Sequence, residues 1–143
     1  MNKKSTKKSN RIKIPSNKGN PMKPTKVIVR PNFKIELKRK LQFDSQGNKN
    51  PTGNKYVVLE TPTRKLILFD SELSIIDQKL VLIHKEIIYN NETNPIVQKI
   101  SNDNGQYLSI QKHIDGYALN FEIEDLELLI EAIQKILDWW KQD

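Results

Sequence analysis

Residues 105–142 decide the fold, and they read "GQYLSIQKHIDGYALNFEIEDLELLIEAIQKILDWWKQ". In the first half of this stretch, apolar and polar residues alternate on both sides of Asp115-Gly116. This pattern predicts two antiparallel strands joined by a two-residue type I′ turn. The register that this turn imposes pairs Ile110 with Phe121 and makes one face of the hairpin apolar. We therefore expect a hairpin with one face buried in the core and the other exposed to solvent.

The second half predicts an amphipathic helix over residues 124–142. Its apolar residues recur at helical spacing and form one stripe: Leu126, Leu129, Ile130, Ile133, Leu137 and Trp140. Acidic residues crowd the first turn, where the helix dipole favours negative charge. We expect the stripe to cover the apolar face of the hairpin. The fold class is then α+β, with an antiparallel sheet of about six to seven strands and one C-terminal helix packed across it.

Further strands are predicted upstream from alternation and β-branched residues. These segments are "FKIELKRKLQF" (33–43), "KYVVLE" (55–60), "KLILFD" (65–70), "KLVLIHKEIIY" (79–89) and "PIVQKIS" (95–101). The glycine- and asparagine-rich segment 44–54 predicts a long hairpin loop. Residues 71–78, "SELSIIDQ", fit either a short strand or a helical turn.

Charge divides the chain unevenly. Of its 143 residues, the first 26 hold nine cations and no acid, whereas residues 42–143 carry a net charge of −6. Residues 27–41 between them carry +4. Because the first 26 residues contain few apolar side chains, they cannot bury enough surface to fold. We predict a disordered basic arm over 1–26 and a single α+β domain over 27–143.

Several classes of protein are excluded by composition. The absence of cysteine excludes disulfides and thiolate metal sites. No apolar run can cross a bilayer, and no apolar segment of a secretory signal follows the N-terminal cations. We therefore expect a cytoplasmic protein without a membrane partner. No catalytic motif is present, and His113 near Asp115 lacks dyad geometry, so we predict no enzyme, no catalytic residue, no metal and no cofactor.

The basic arm indicates a nucleic-acid partner, because mobile cations contact phosphates without reading sequence. The predicted phosphate contacts are Lys3, Lys4, Lys7, Lys8, Arg11 and Lys13 in the arm, and Lys34, Lys38 and Lys40 on one face of the first strand. Among the few aromatic residues, Tyr107 on the polar hairpin face is the best candidate for stacking on a base.

The segment "GYALNFEIEDLELLIEAIQKIL" (116–137) resembles, in its order of strand and helix, the Pur-type and Whirly-type proteins that bind single-stranded nucleic acid. This resemblance implies a sheet-plus-helix plan and a nucleic-acid partner. The leading prediction is a non-enzymatic accessory protein that binds DNA or RNA through its arm, within a larger nucleoprotein assembly. The alternative is a protein-binding inhibitor, immunity or regulatory module that uses a sheet edge or Trp139, with a homodimer also open.

Overall fold

The structure, a computed structural model, describes residues 26–40, 42–43, 45–50 and 53–142. Its strands are β1 (Lys26–Val29), β2 (Lys34–Arg39), β3 (Gln42–Phe43), β4 (Lys49–Asn50), β5 (Lys55–Glu60), β6 (Lys65–Leu68), β7 (Ile96–Asn102), β8 (Gly105–Gln111) and β9 (Ala118–Glu122). Its helices are α1 (Asp70–His84) and α2 (Leu126–Gln142), and a 3-10 turn, Ile123–Asp125, precedes α2. The predicted arm lies outside the described residues, apart from Lys26.

The longer strands form two antiparallel sheets. The first sheet has the order β1-β2-β5-β6, and the second has the order β9-β8-β7; β3 and β4 form a separate two-stranded ribbon. The α+β class is therefore confirmed, but the expectation of one sheet with six to seven strands is wrong. Helix α1 lies in the chain between β6, which belongs to the first sheet, and β7, which belongs to the second.

Helix α1 replaces the strand predicted over 79–89. Its apolar residues follow helical spacing and are buried: Leu73, Ile76, Leu80 and Ile83. The carboxylate of Glu72 accepts a hydrogen bond of 2.9 Å from the backbone N–H of Phe69, which stabilises the first turn. A short run of β-branched residues is compatible with either a strand or a buried helix. The strand prediction for 79–89 was wrong because of this ambiguity.

Each helix packs on the sheet that it does not directly follow. Helix α2 packs mainly on β2 and β1 of the first sheet, whereas α1 packs on β7 of the second, and the two helices also contact each other. The expectation that the C-terminal helix packs mainly across the hairpin is therefore wrong. This crossed arrangement ties the two sheets together.

A single hydrophobic core lies between the sheets and the helices. It joins fully buried side chains from both sheets and from α2, such as Leu59, Leu108 and Leu129. Within the core, the rings of Phe33 and Phe121 meet edge to face with their centroids 6.0 Å apart. Among the described residues, no helix combines the length and apolarity needed to cross a bilayer.

The β8–β9 hairpin keeps the predicted faces but not the predicted turn. Ile110 lies opposite Leu119 instead of Phe121, so the register differs by two residues and residues 112–117 form a longer loop. A shift of two residues leaves every side chain on its face, since side chains alternate with a period of two. The side-chain amide of Gln111 holds the loop by donating to the carbonyl oxygens of Ile114 (3.2 Å) and Gly116 (2.8 Å).

Candidate nucleic-acid interface

The helix-free face of the first sheet carries the predicted strand lysines. Lys34 and Lys38 alternate along β2 with the buried Ile35 and Leu37, so they project away from α2. Lys34 Nζ lies 3.7 Å from a carboxylate oxygen of Glu60, with both side chains 42% exposed. An ion pair this exposed contributes little stability and leaves Lys34 accessible to another anion.

Lys38 and Lys40 are exposed at the end of β2. Lys38 lies opposite Tyr56 in the register, and no ion pair involves Lys38 within the part of the chain that the structure describes. Lys40 follows the strand, where its backbone N–H donates to the carbonyl oxygen of Asn54 at 3.0 Å. The structure therefore brings the three predicted strand lysines to one side of the first sheet or to its end.

The predicted arm contacts, Lys3, Lys4, Lys7, Lys8, Arg11 and Lys13, lie outside the described residues, and their role stays a prediction. The structure does locate the point where the arm joins the fold. Lys26 begins β1, an edge strand that pairs with β2. The arm thus connects to the sheet whose outer face carries Lys34 and Lys38.

Tyr107 lies on the outer face of the second sheet, away from those lysines. It is half-buried and lies directly opposite Glu122 of β9. The neighbouring positions on this face are mostly uncharged, such as Gln98, Ser109 and Asn120, and no lysine or arginine occupies a position on it in β7, β8 or β9. A base stacked on Tyr107 would bring its phosphates towards a carboxylate, and the stacking role of Tyr107 stays a prediction.

A second aromatic cluster lies where the two sheets meet. The loop 112–117 packs against β6, the edge strand of the first sheet. The hydroxyl of Tyr117 donates to the carbonyl oxygen of Lys65, and Lys112 Nζ donates to that of Ile67 at 2.8 Å. We call the cluster of Arg64, Lys65, Phe69, Lys112 and Tyr117 the joint.

Cations and aromatic rings alternate across the joint. The Arg64 guanidinium lies 5.2 Å from the ring centroid of Tyr117, and Lys112 Nζ lies 5.8 Å from that of Phe69. The two rings belong to residues that are 50% and 44% exposed. Beside them is a cavity of about 310 Å³, lined in part by His113 and Gly116. Basic groups beside exposed aromatic rings are typical of surfaces that bind single-stranded nucleic acid.

The sequence interpretation missed the joint. Arg64 and Tyr117 are far apart in the chain, and nothing local to either segment indicates that they meet. The only sequence signal is that both follow turn residues, Pro62 and Gly116, and are therefore expected near loops. Their proximity depends on how the two sheets pack, which no short-range pattern specifies.

The helices present the opposite charge. A groove of about 870 Å³ between α1 and α2 is lined by Glu124, Glu127, Glu131 and Asp138, with Lys135 and His84 as its basic groups. His84 Nε2 lies 3.1 Å from a carboxylate oxygen of Glu127. The described residues contain no cluster of three or more side chains placed to hold a metal ion. The groove is thus an acidic surface on the side away from the sheet faces.

One carboxylate beside this groove is partly buried. Burial raises the pKa of Asp77 above its usual range, and a hydrogen bond of 3.3 Å from the Gln134 amide acts in the opposite direction. A carboxyl that holds its proton more tightly in the folded state makes stability depend on pH.

Trp139 and Trp140 lie at the end of α2 and pack against the core while remaining partly exposed. Lys135 Nζ lies 5.8 Å from the centroid of the Trp139 ring, and Lys55 Nζ lies 5.2 Å from that of the Trp140 ring. These contacts give both rings a packing role. The predicted use of Trp139 as a partner contact stays a prediction.

No family model and no curated protein matches the chain. Among solved structures, the chain is similar to the crystal structure of WHY3 from Arabidopsis thaliana at 12% sequence identity and a TM-score of 0.27. The alignment covers 83% of this chain and 89% of that chain. A TM-score this low does not establish a shared fold.

Proposed function

We propose that the protein is a non-enzymatic accessory factor that binds nucleic acid through its basic arm, with the first sheet and the joint as the surface beside the arm. The observation that carries the proposal is the separation of charge on the folded body. Lys34, Lys38, Arg64 and Lys65 lie on the outer face of the first sheet or in the joint, where Glu36 and Glu60 offset part of their charge, whereas acids predominate in the groove between α1 and α2.

The positions of the charged residues matter because the folded body as a whole is acidic. Residues 42–143 carry a net charge of −6, which by itself would repel a polyanion. Because acids of the helices line the groove between α1 and α2, we expect weaker repulsion at the outer face of the first sheet, to which β1 belongs. Phosphate contacts of this kind position a protein on nucleic acid without selecting a sequence.

The test removes the charge of the arm without removing the arm. A variant with every lysine and arginine in residues 2–25 changed to Gln keeps the length of the chain and leaves β1 intact. Fluorescence anisotropy with labelled DNA and RNA oligonucleotides at low salt should give an affinity at least a hundredfold lower for this variant, because most counterion release is lost.

A matched control keeps the cations and shuffles their order within residues 2–25. The shuffled arm should bind as the natural one does, because charge and not sequence makes the contacts. Full affinity in the Gln variant would overturn the proposal, and unchanged circular dichroism in both variants would show that the fold is intact.

A further inference from the structure

We propose that the joint binds one unpaired nucleobase, which stacks beside Tyr117 while Arg64 and Lys65 contact the adjoining phosphates. The inference rests on the proposed function and specifies where on the body a strand lies and which form of nucleic acid fits there. It also transfers the stacking role from Tyr107 to Tyr117.

The ring of Tyr117 is held in place before any ligand arrives. Its hydroxyl donates to the Lys65 carbonyl oxygen on β6, which fixes the far end of the ring. Gln111 closes the loop from the other side through its bonds to Ile114 and Gly116, and the Gly116 N–H donates to the His113 carbonyl oxygen at 2.9 Å. A fixed ring loses little conformational entropy on binding, which favours stacking.

The surroundings of the ring suit a base joined to phosphates. The cavity of about 310 Å³ has Ile67 and Tyr117 as apolar walls, and both residues are about half exposed. Arg64 and Lys65 are exposed, and neither forms an ion pair with any residue that the structure describes. The planar guanidinium of Arg64 can stack on a base or bond a phosphate in a bidentate manner.

Lys112 holds the loop 112–117 against β6 and is not one of the proposed phosphate contacts. Its ammonium donates to the Ile67 carbonyl oxygen at 2.8 Å and lies 3.9 Å from a carboxylate oxygen of Glu72. The charge of Lys112 is therefore partly neutralised, and its bond to β6 holds the loop against the sheet. The phosphate contacts fall to Arg64 and Lys65.

This site distinguishes single strands from duplexes. In a duplex both faces of a base are covered by its neighbours, so stacking on Tyr117 requires a base that is free to leave the helix. The arm contacts phosphates in either form. The joint should consequently add affinity for single strands alone.

The test compares three variants of the full chain by anisotropy with a labelled twelve-nucleotide oligo-dT strand and a duplex of the same length. Tyr117→Leu should weaken single-strand binding about tenfold, because one stacking contact is lost. It should leave duplex binding within about twofold. Tyr117→Phe retains the ring but loses the hydroxyl bond to Lys65, so its single-strand affinity should lie between those of wild type and Tyr117→Leu. The matched control Tyr107→Leu should bind both oligonucleotides as wild type does.

A second measurement uses the unaltered chain, so that it does not depend on the stability of a variant. An oligo-dT strand carrying 5-iodouracil is cross-linked by light, and the modified peptide is identified by mass spectrometry. Cross-linking at Tyr117 is the expected result. Two results would overturn the proposed base-binding role of the joint: cross-linking at Tyr107, or an equal loss of single-strand and duplex affinity in Tyr117→Leu. Either result would leave the proposed role of the arm intact. A wild-type chain that binds neither oligonucleotide would overturn the proposed function and this inference together.

Discussion

The sheet side and the helix side of the molecule enclose the same core and differ in the charge of their surfaces. On the sheet side, Lys34, Lys38, Arg64 and Lys65 are exposed or half-exposed. On the helix side, acids line the groove between α1 and α2. The net charge of the folded body is acidic, but a net charge does not indicate where on the surface a polyanion can approach.

Mutations in the shared core should change the free energy of unfolding more than mutations on either surface. Phe121 is 4% exposed and contacts Phe33, so Phe121→Ala removes a ring at the place where the second sheet meets the first. We expect the free energy of unfolding to fall by about 3–5 kcal/mol. Urea unfolding followed by circular dichroism and by tryptophan fluorescence measures this loss.

Both probes should report one transition in the wild type and in Phe121→Ala, since the sheets share one core. Two separate transitions in the wild type would mean that the sheets fold independently. The two sheets would then belong to different folding units, and the claim of one shared core would fail.

Charge reversal tests whether the sign of the surface matters locally. Arg64→Glu with Lys65→Glu should weaken single-strand binding by about 2 kcal/mol, or about thirtyfold, because two phosphate contacts become repulsive. The matched control is Lys135→Glu with Lys141→Glu on α2, which changes the net charge equally. The control should have a much smaller effect, because its charges lie on the helix side. Equal losses in both variants would show that only the net charge matters.

The smallest expected effect concerns a carboxylate of the helix side. Burial raises the pKa of Asp77, so the folded chain binds this proton more tightly than the unfolded chain does. The resulting stabilisation is fully present below the ordinary pKa of 3.8 and is lost as the pH rises through the folded value. Asp77→Asn should therefore be more stable than wild type at pH 7, by less than about 1 kcal/mol, because partial exposure screens the charge.

Urea midpoints at several pH values between 3.5 and 7 measure this effect, and the advantage of Asp77→Asn should shrink as the pH falls. An advantage that grows towards low pH would contradict the raised pKa.

The fold features that the sequence predicted correctly are those specified by neighbours in the chain. The alternation in β2 and the faces of the β8–β9 hairpin follow from a period of two, and α2 follows from its apolar stripe. Helix α1 was missed because its Val and Ile residues also suit a strand, although Leu73, Ile76, Leu80 and Ile83 follow a helical period.

The features that the sequence did not predict depend on distant segments. The division into two sheets depends on where α1 and α2 pack, and no local pattern contains that information. The joint brings Arg64 to Tyr117 by the same long-range packing. Tyr107 lies opposite Glu122 in the observed register, two positions from the partner that the predicted turn implied, and its stacking role stays a prediction.

The salt dependence of binding to a DNA duplex tests whether the arm binds phosphates. If about six of the nine cations in residues 1–26 displace counterions, the plot of log affinity against log salt has a slope of about −5. The Gln variant of the arm should reduce this slope to about −1 to −2, contributed by cations of the sheet side. A slope near zero, or a partner retained by the Gln variant and lost on changing Trp139, would contradict the account and favour a protein-binding module.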